Sequence, residues 1–195
     1  MFTGIIEEIG KISRMQKTGL SRRIAITAQK VLEDIHIGDS IAVNGVCLTV
    51  VKFTQTEFEA EVMPETVSRT TFANAKVGDR VNLERAMRLQ DRVSGHFVTG
   101  HIDGVGKIQK LLRSRDKFEI EFSVSQDLLR AIVSKGSIAI DGISLTVVAV
   151  TPRSFSVSLI PFTGEQTTLG SKAVGSLINI ETDILAKYIK KDYGD

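Results

Sequence analysis

Two stretches of this chain are versions of one another. IAVNGVCLTVV, Ile41 to Val51, returns as IAIDGISLTVV, Ile138 to Val148, with seven of eleven positions identical. The likeness spreads outward at the same spacing of 97 residues, laying MPETVSRTTFANAKVGDRVNLE (Met63 to Glu84) over IPFTGEQTTLGSKAVGSLINIE (Ile160 to Glu181). At a spacing of 96, TGIIEEIGKI (Thr3 to Ile12) lies over TGHIDGVGKI (Thr99 to Ile108). A period of roughly 20 to 50 residues would signal a solenoid, whereas one near half of a 195-residue chain is domain-sized and signals tandem duplication. The fold is therefore read twice: residues 1–96 with a linker at 85–96, and residues 97–195 ending in a helix at 182–192. Function is sought where the copies differ, at Cys47 against Ser144, Ile5 against His101, and Glu65 against Phe162.

Each copy has the punctuation of short strands. Arg23–Ala28 alternates, the apolar run from residue 2 closes at Gly10, and Ile41–Val43 and Val46–Phe53 are β-branched runs separated by Asn44-Gly45. Asn-Gly, and Asp141-Gly142 in the second copy, tolerate the positive φ of a type I′ hairpin turn. Phe58–Val62 and Arg80–Glu84 add strands, and Gln29–His36 reads as a short amphipathic helix closed by Gly38. About six strands per copy predict an all-β fold, two tandem six-stranded antiparallel barrels, since closure removes the exposed edges of a small sheet. After Glu181, TDILAKYIKKDYGD predicts a short helix with Ile184, Leu185, Tyr188 and Ile189 on one face and lysines loading its C-terminal end. So short a helix needs a packing partner, its own barrel or another subunit.

Composition limits the function classes. A net charge of +2 offers no electrostatic footprint for nucleic acid or an anionic membrane, and no apolar run reaches transmembrane length. One cysteine forms no internal disulfide, which points to a reducing, cytoplasmic setting, and the three scattered histidines suggest no metal. Neither a dinucleotide-binding nor a P-loop glycine motif is present, and no cofactor is expected.

A lone cysteine in a strand is most often a small buried hydrophobe. Yet Cys47 and Ser144 occupy one repeat position, each followed by Leu-Thr, so that Cys47 and Thr49, and Ser144 and Thr146, share a strand face. His101 stands where the first copy has Ile5, so the fold does not require an imidazole there. His96 reads as a structural or surface residue. Pro64-Glu65-Thr66 and Pro161-Phe162-Thr163 read either as ordinary strand-ending turns or as corners that free backbone groups to read a flat heterocycle. Asp183 reads as a helix N-cap.

MFTGIIEE, GDSIAVNGVCLTV, VMPETV, KVGDRVNLERAM, SGHFVTGHIDG and KGSIAIDGISLTVV together resemble the riboflavin synthases of the duplicated, alpha-chain type, over essentially the whole chain. The resemblance implies two Greek-key barrels and a C-terminal helix, a homotrimer with its active site between subunits, and lumazine synthase as a candidate partner. It implies a cofactor-free dismutation in which one 6,7-dimethyl-8-ribityllumazine gives four carbons to another, yielding riboflavin and a ribitylamino-pyrimidinedione. Around the first barrel's lumazine it places Gly4, Ile5, Ile6, Cys47, Leu48, Thr49, Glu61, Val62, Met63, Pro64, Glu65 and Thr66. Around the second it places Gly100, His101, Ile102, Ser144, Leu145, Thr146, Ser158, Leu159, Ile160, Pro161, Phe162 and Thr163, with Lys135 arriving from a neighbouring subunit and Phe2 shaping the site. Cys47, His101, Ser144, Thr146 and Asp183 fall on the family's catalytic positions, Ser144 and Asp183 as a hydrogen-bonded relay; which is base and which nucleophile stays open. Ser94 where the family commonly has Gly, and Phe162 where it commonly has a polar residue, are departures. A non-catalytic lumazine-binding antenna is the rival reading. A flavin reductase barrel lacks its βαβ partner domain here, and a mere scaffold leaves the polar pairs unexplained.

Overall fold

The computed structural model describes residues 1–19, 21–114 and 118–193. Six strands make the first half: β1 (Glu8–Thr18), β2 (Ser21–Thr27), β3 (Ser40–Val43), β4 (Val46–Phe53), β5 (Glu57–Val62) and β6 (Arg80–Arg85). Six more make the second: β7 (Gly104–Arg113), β8 (Phe118–Ser123), β9 (Ser137–Ile140), β10 (Ile143–Val150), β11 (Ser154–Leu159) and β12 (Leu177–Thr182). Each set closes into an antiparallel barrel, in the order β1-β2-β5-β4-β3-β6 and in the equivalent order for the second copy. β5 returns beside β2 and β6 seals the gap between β3 and β1, a Greek-key path. Register shifts at Ile12/Arg14 and Val50/Lys52, and at Ile108/Lys110 and Val147/Ala149, put bulges where the strands must bend for closure.

The β3–β4 hairpin forms as its sequence predicts. Asn44 and Gly45 have φ of 46° and 78°, and Asp141 and Gly142 of 46° and 81°, the left-handed pairs of a type I′ turn. Inward residues fill each barrel: Ile24, Ile26, Val50, Phe58 and Leu83 in the first, and Ile108, Ile120, Phe122, Phe155 and Ile180 in the second, all fully buried. Phe122 and Phe155 stack with ring centroids 5.2 Å apart.

Two expected elements differ. Gly10 does not end a strand but sits within β1, where a Cβ would lie 2.5 Å from Leu83 Cδ1 and 2.9 Å from the Thr27 carbonyl oxygen. Gln29–His36 holds only a single 3-10 turn, Lys30–Leu32, without a side-chain cap. Its counterpart in the second copy is a true helical turn, α2 (Gln126–Leu129), whose Ser125 hydroxyl accepts from Leu128 N. The first copy has Gln29 at the capping position, whose side chain makes no cap bond, and the Glu8 carboxylate takes the Gln29 and Val31 N–H groups instead.

The barrels dock through a pseudo-twofold contact. Asn82 donates to the Asp141 carbonyl and accepts from Thr168 N, while Asn179 donates to the Asn44 carbonyl and accepts from Thr71 N, at 2.8 to 3.0 Å. Both amides are fully buried, so each satisfied bond replaces a costly orphan. The hairpin glycines meet on the axis, where a Cβ on Gly45 would lie 2.6 Å from Gly142 N. The copies are not identical there: Asn44 is replaced by buried Asp141, which pairs with Lys172 at 3.2 Å.

The last helix runs Ile184–Tyr193, and Lys187 pairs with Asp103 at 2.7 Å. Leu185, Tyr188 and Ile189 are exposed. The side chains of Lys190 and Lys191, expected to load the helix end, lie outside the described residues. No described helix is long and apolar enough to cross a membrane.

Candidate active site

The strand carrying Cys47 and the strand carrying Ser144 set their polar residues outward. Along β4, Val46, Leu48 and Val50 enter the core while Cys47 is half-buried and Thr49 exposed. Along β10, Ile143 and Val147 point in while Ser144 is half-buried and Thr146 exposed. The expected shared face is thus the outer wall of each barrel. Cys47 packs beside Phe2, Ala42, Val98 and Ala139, a small apolar cluster between the barrels that buries Phe2 completely.

The opening segments of the two copies are exchanged. Ser144 N donates to the Gly4 carbonyl at 2.8 Å and Cys47 N donates to the Gly100 carbonyl at 2.9 Å, so each opening lies on the other copy's strand. Ile102 accordingly packs on the first core and Ile6 on the second. This corrects the expected grouping. Cys47, Leu48 and Thr49 are joined by Gly100, His101 and Ile102, whereas Ser144, Leu145 and Thr146 are joined by Gly4, Ile5 and Ile6. The crossing is secured where the chain leaves its own barrel: Phe2 and Val98 exchange backbone bonds of 2.7 and 3.1 Å. Glu84 accepts from Thr3 N, Thr3 Oγ1 and Gly4 N, and Glu181 accepts from Thr99 N, Thr99 Oγ1 and Gly100 N. Burial pushes Glu84 up to about 7, against the Thr3 and Gly4 donors that favour its charged form. Both crossing glycines have positive φ, and a Cβ on Gly100 would lie 2.4 Å from Cys47 Cβ.

The two proline corners are not plain turns. Pro64 opens α1 (Pro64–Arg69) and Pro161 opens α3 (Pro161–Gln166), each at the first helical position, where proline's missing N–H costs nothing. The N–H groups of Glu65 and Thr66, and of Phe162 and Thr163, fall in first turns and have no intrahelical acceptor. Glu61, Met63, Pro64 and Glu65 are exposed on one barrel, as are Ser158, Ile160, Pro161 and Phe162 on the other, while Val62 and Leu159 are buried. Each of these walls is therefore open in the single chain. Lys135 is exposed and left-handed, φ 67°, where the first copy has Gly38 at φ 97°.

The expected Ser144–Asp183 hydrogen bond is absent. Asp183 Oδ1 instead accepts from Leu185 N at 3.0 Å, and the Ser144 hydroxyl lies 2.7 Å from Nδ1 of His96. His96, read from sequence as a structural or surface residue, is brought into the site. His101 is exposed beside Gly100, its backbone N–H bonded to Thr99 Oγ1. The one available signal for His96 was the glycine before it: a Cβ on Gly95 would lie 2.1 Å from the Thr3 carbonyl oxygen. Among the described residues no group of three or more His, Cys, Asp or Glu side chains is placed to hold a metal ion.

The lumazine binding domain model matches residues 3–86 and again residues 99–183. Over 191 residues the chain is 51% identical to the riboflavin synthase of Actinobacillus pleuropneumoniae, covering 98% of this chain and 89% of that protein. The chain belongs to the riboflavin synthase family. The Bacillus subtilis (strain 168) riboflavin synthase is 46% identical over 189 residues, 97% of this chain and 88% of that one. Among solved structures, LumP complexed with 6,7-dimethyl-8-(1'-D-ribityl) lumazine aligns with a TM-score of 0.84 at 28% identity, over 93% of this chain and 99% of that chain. LumP complexed with riboflavin aligns at 0.87 and the same identity. The lumazine binding domain model covers both barrels, and the exchanged openings set Gly100 beside Cys47 and Gly4 beside Ser144.

Proposed function

We propose that this chain is a riboflavin synthase that converts two molecules of 6,7-dimethyl-8-ribityllumazine into riboflavin and 5-amino-6-(D-ribitylamino)uracil by moving a four-carbon unit from one to the other. One observation carries the reading: a chain 51% identical to a riboflavin synthase keeps, in both copies, a thiol or hydroxyl beside a threonine on an outward barrel face. One lumazine lies on the wall of Cys47, Thr49, Glu61–Thr66 and Gly100–Ile102. The other lies on the wall of Ser144, Thr146, Ser158–Thr163 and Gly4–Ile6. Dismutation of like molecules needs two like pockets with unlike chemistry, and the thiol-for-hydroxyl difference supplies it. Holding both substrates in register replaces a bimolecular encounter, worth several kcal/mol in general.

The reacting pair forms between chains, Cys47 of one opposite Ser144 of its neighbour, in a homotrimer. The openness of both walls and the uncovered Leu185, Tyr188 and Ile189 support that assembly. Lys135 reaches the second lumazine from the adjoining subunit. A cytoplasmic setting fits the single free cysteine. Lumazine synthase, as source of the substrate, is the proposed partner.

The test is to incubate the pure protein with 6,7-dimethyl-8-ribityllumazine alone and follow riboflavin absorbance. One riboflavin per two lumazines consumed establishes the dismutation. Tight binding without turnover would instead make the chain a lumazine carrier, the role for which LumP is the structural comparison.

A further inference from the structure

His96 is held against Ser144 by more than one hydrogen bond. Its backbone N–H donates to the Thr3 carbonyl at 3.2 Å, and its ring Nδ1 lies 2.7 Å from Ser144 Oγ. Gly95 makes the approach feasible, since a Cβ there would lie 2.7 Å from Ser144 Cβ and 2.8 Å from its oxygen. The linker is thus threaded over the opening segment and onto β10. The other ring nitrogen, Nε2, is buried with no hydrogen-bond partner among the described residues. Two carboxylates act on the ring, Asp183 just ahead of the last helix and Glu181 on β12. At the other wall nothing comparable occurs: Cys47 Sγ has no hydrogen-bond partner among the described residues.

We propose that His96 is the group through which Ser144 works as a base at the second wall. This rests on the riboflavin synthase reading. The proton it handles is one of the methyl protons on the electron-poor ring of the lumazine. As that C–H bond breaks, its electron pair stays on carbon and delocalises into the ring, and the proton forms a new O–H bond on Ser144. The original hydroxyl proton passes to His96 Nδ1. Serine ends unchanged, and the imidazolium that forms is stabilised by Asp183 and Glu181. The scheme requires the neutral tautomer with its proton on Nε2, leaving Nδ1 to accept. Burial holds His96 below the ordinary imidazole value, with the two carboxylates opposing, so the ring is neutral at physiological pH. It touches no substrate itself, and the difference between the walls is a histidine delivered to one of them by the linker.

The discriminating variant is His96→Asn, whose amide oxygen can accept from Ser144 but cannot take up its proton. In the wild type, kcat for riboflavin formation should fall as pH drops through the His96 value. In H96N that acid limb should vanish, with kcat about 100-fold lower or more and KM within about threefold. Nitrogen-15 NMR of the free wild-type protein should show Nδ1 unprotonated and Nε2 protonated above that limb, a readout independent of turnover. An Nδ1 that carries the proton overturns the proposal, as does an H96N enzyme that keeps its limb and turns over within threefold of wild type. Should H96N not fold, Ser144→Ala takes its place, and a limb surviving there also overturns it. A wild type that binds the lumazine but makes no riboflavin sinks the enzyme reading and this proposal together.

Discussion

At the scale of single residues, the informative comparison is between positions that the duplication makes equivalent. Cys47 and Ser144 have the same backbone bond to a crossing glycine and the same threonine two residues on, so a serine at 47 already has a working precedent in the fold. Cys47→Ser is therefore expected to unfold within about 1 kcal/mol of wild type while losing at least about tenfold in riboflavin formation, because a hydroxyl is a poorer nucleophile and weaker acid than a thiol. Turnover within twofold of wild type would remove Cys47 from the chemistry. Glu84 carries a pH signature of its own. Its folded-state value, about 7, lies above the ordinary carboxylate value of 4.5, so the stability it contributes is fully present below pH 4.5 and is lost as pH rises to about 7. Glu84→Gln should flatten that slope, which denaturant midpoints across the interval would reveal; an unchanged slope would assign it to another group.

At the scale of elements, the hairpin turns and strands were legible because their signals are local. Asn-Gly, β-branched runs and period-2 alternation act over a few residues, and the closed order follows from leaving no edge bare. What was not legible depends on distance. Sequence assigns Gly4 to the first copy and Gly100 to the second; only the backbone bonds to Ser144 and Cys47 reveal that each serves the other. The segment Gln29–His36, expected as a helix, buries Val31 and Ile35 but lacks the cap that Ser125 gives its counterpart. His96 was passed over because a linker carries no periodicity. The hairpin contact itself yields a test. Asp141 with Lys172 in one copy stands where Asn44 and Ala75 stand in the other, a buried carboxyl beside a half-buried lysine against a neutral set. Lys172→Ala should cost about 3 kcal/mol or more by leaving a buried carboxylate unpaired, and adding Asp141→Asn should restore most of it. Additive losses in that double-mutant cycle would show the pair to be uncoupled.

At the scale of the whole molecule, the proposed trimer joins the C-terminal helix to the open walls. Deleting residues 184–195 should lower trimer content by sedimentation and riboflavin formation in parallel, whereas full activity from a demonstrated monomer would place both lumazines on one chain. The exchanged openings have a consequence of another kind. Two barrels that trade their first residues about a twofold axis have the form of a strand-swapped homodimer joined end to end on one chain. In a homodimer every substitution is made twice, and the two walls are condemned to the same chemistry. Joined, the walls become separately editable, and a thiol, a buried aspartate or a linker histidine can be installed on one side only. A reaction that asks two copies of one molecule to behave as opposites is served by a protein whose own two copies were released from having to match.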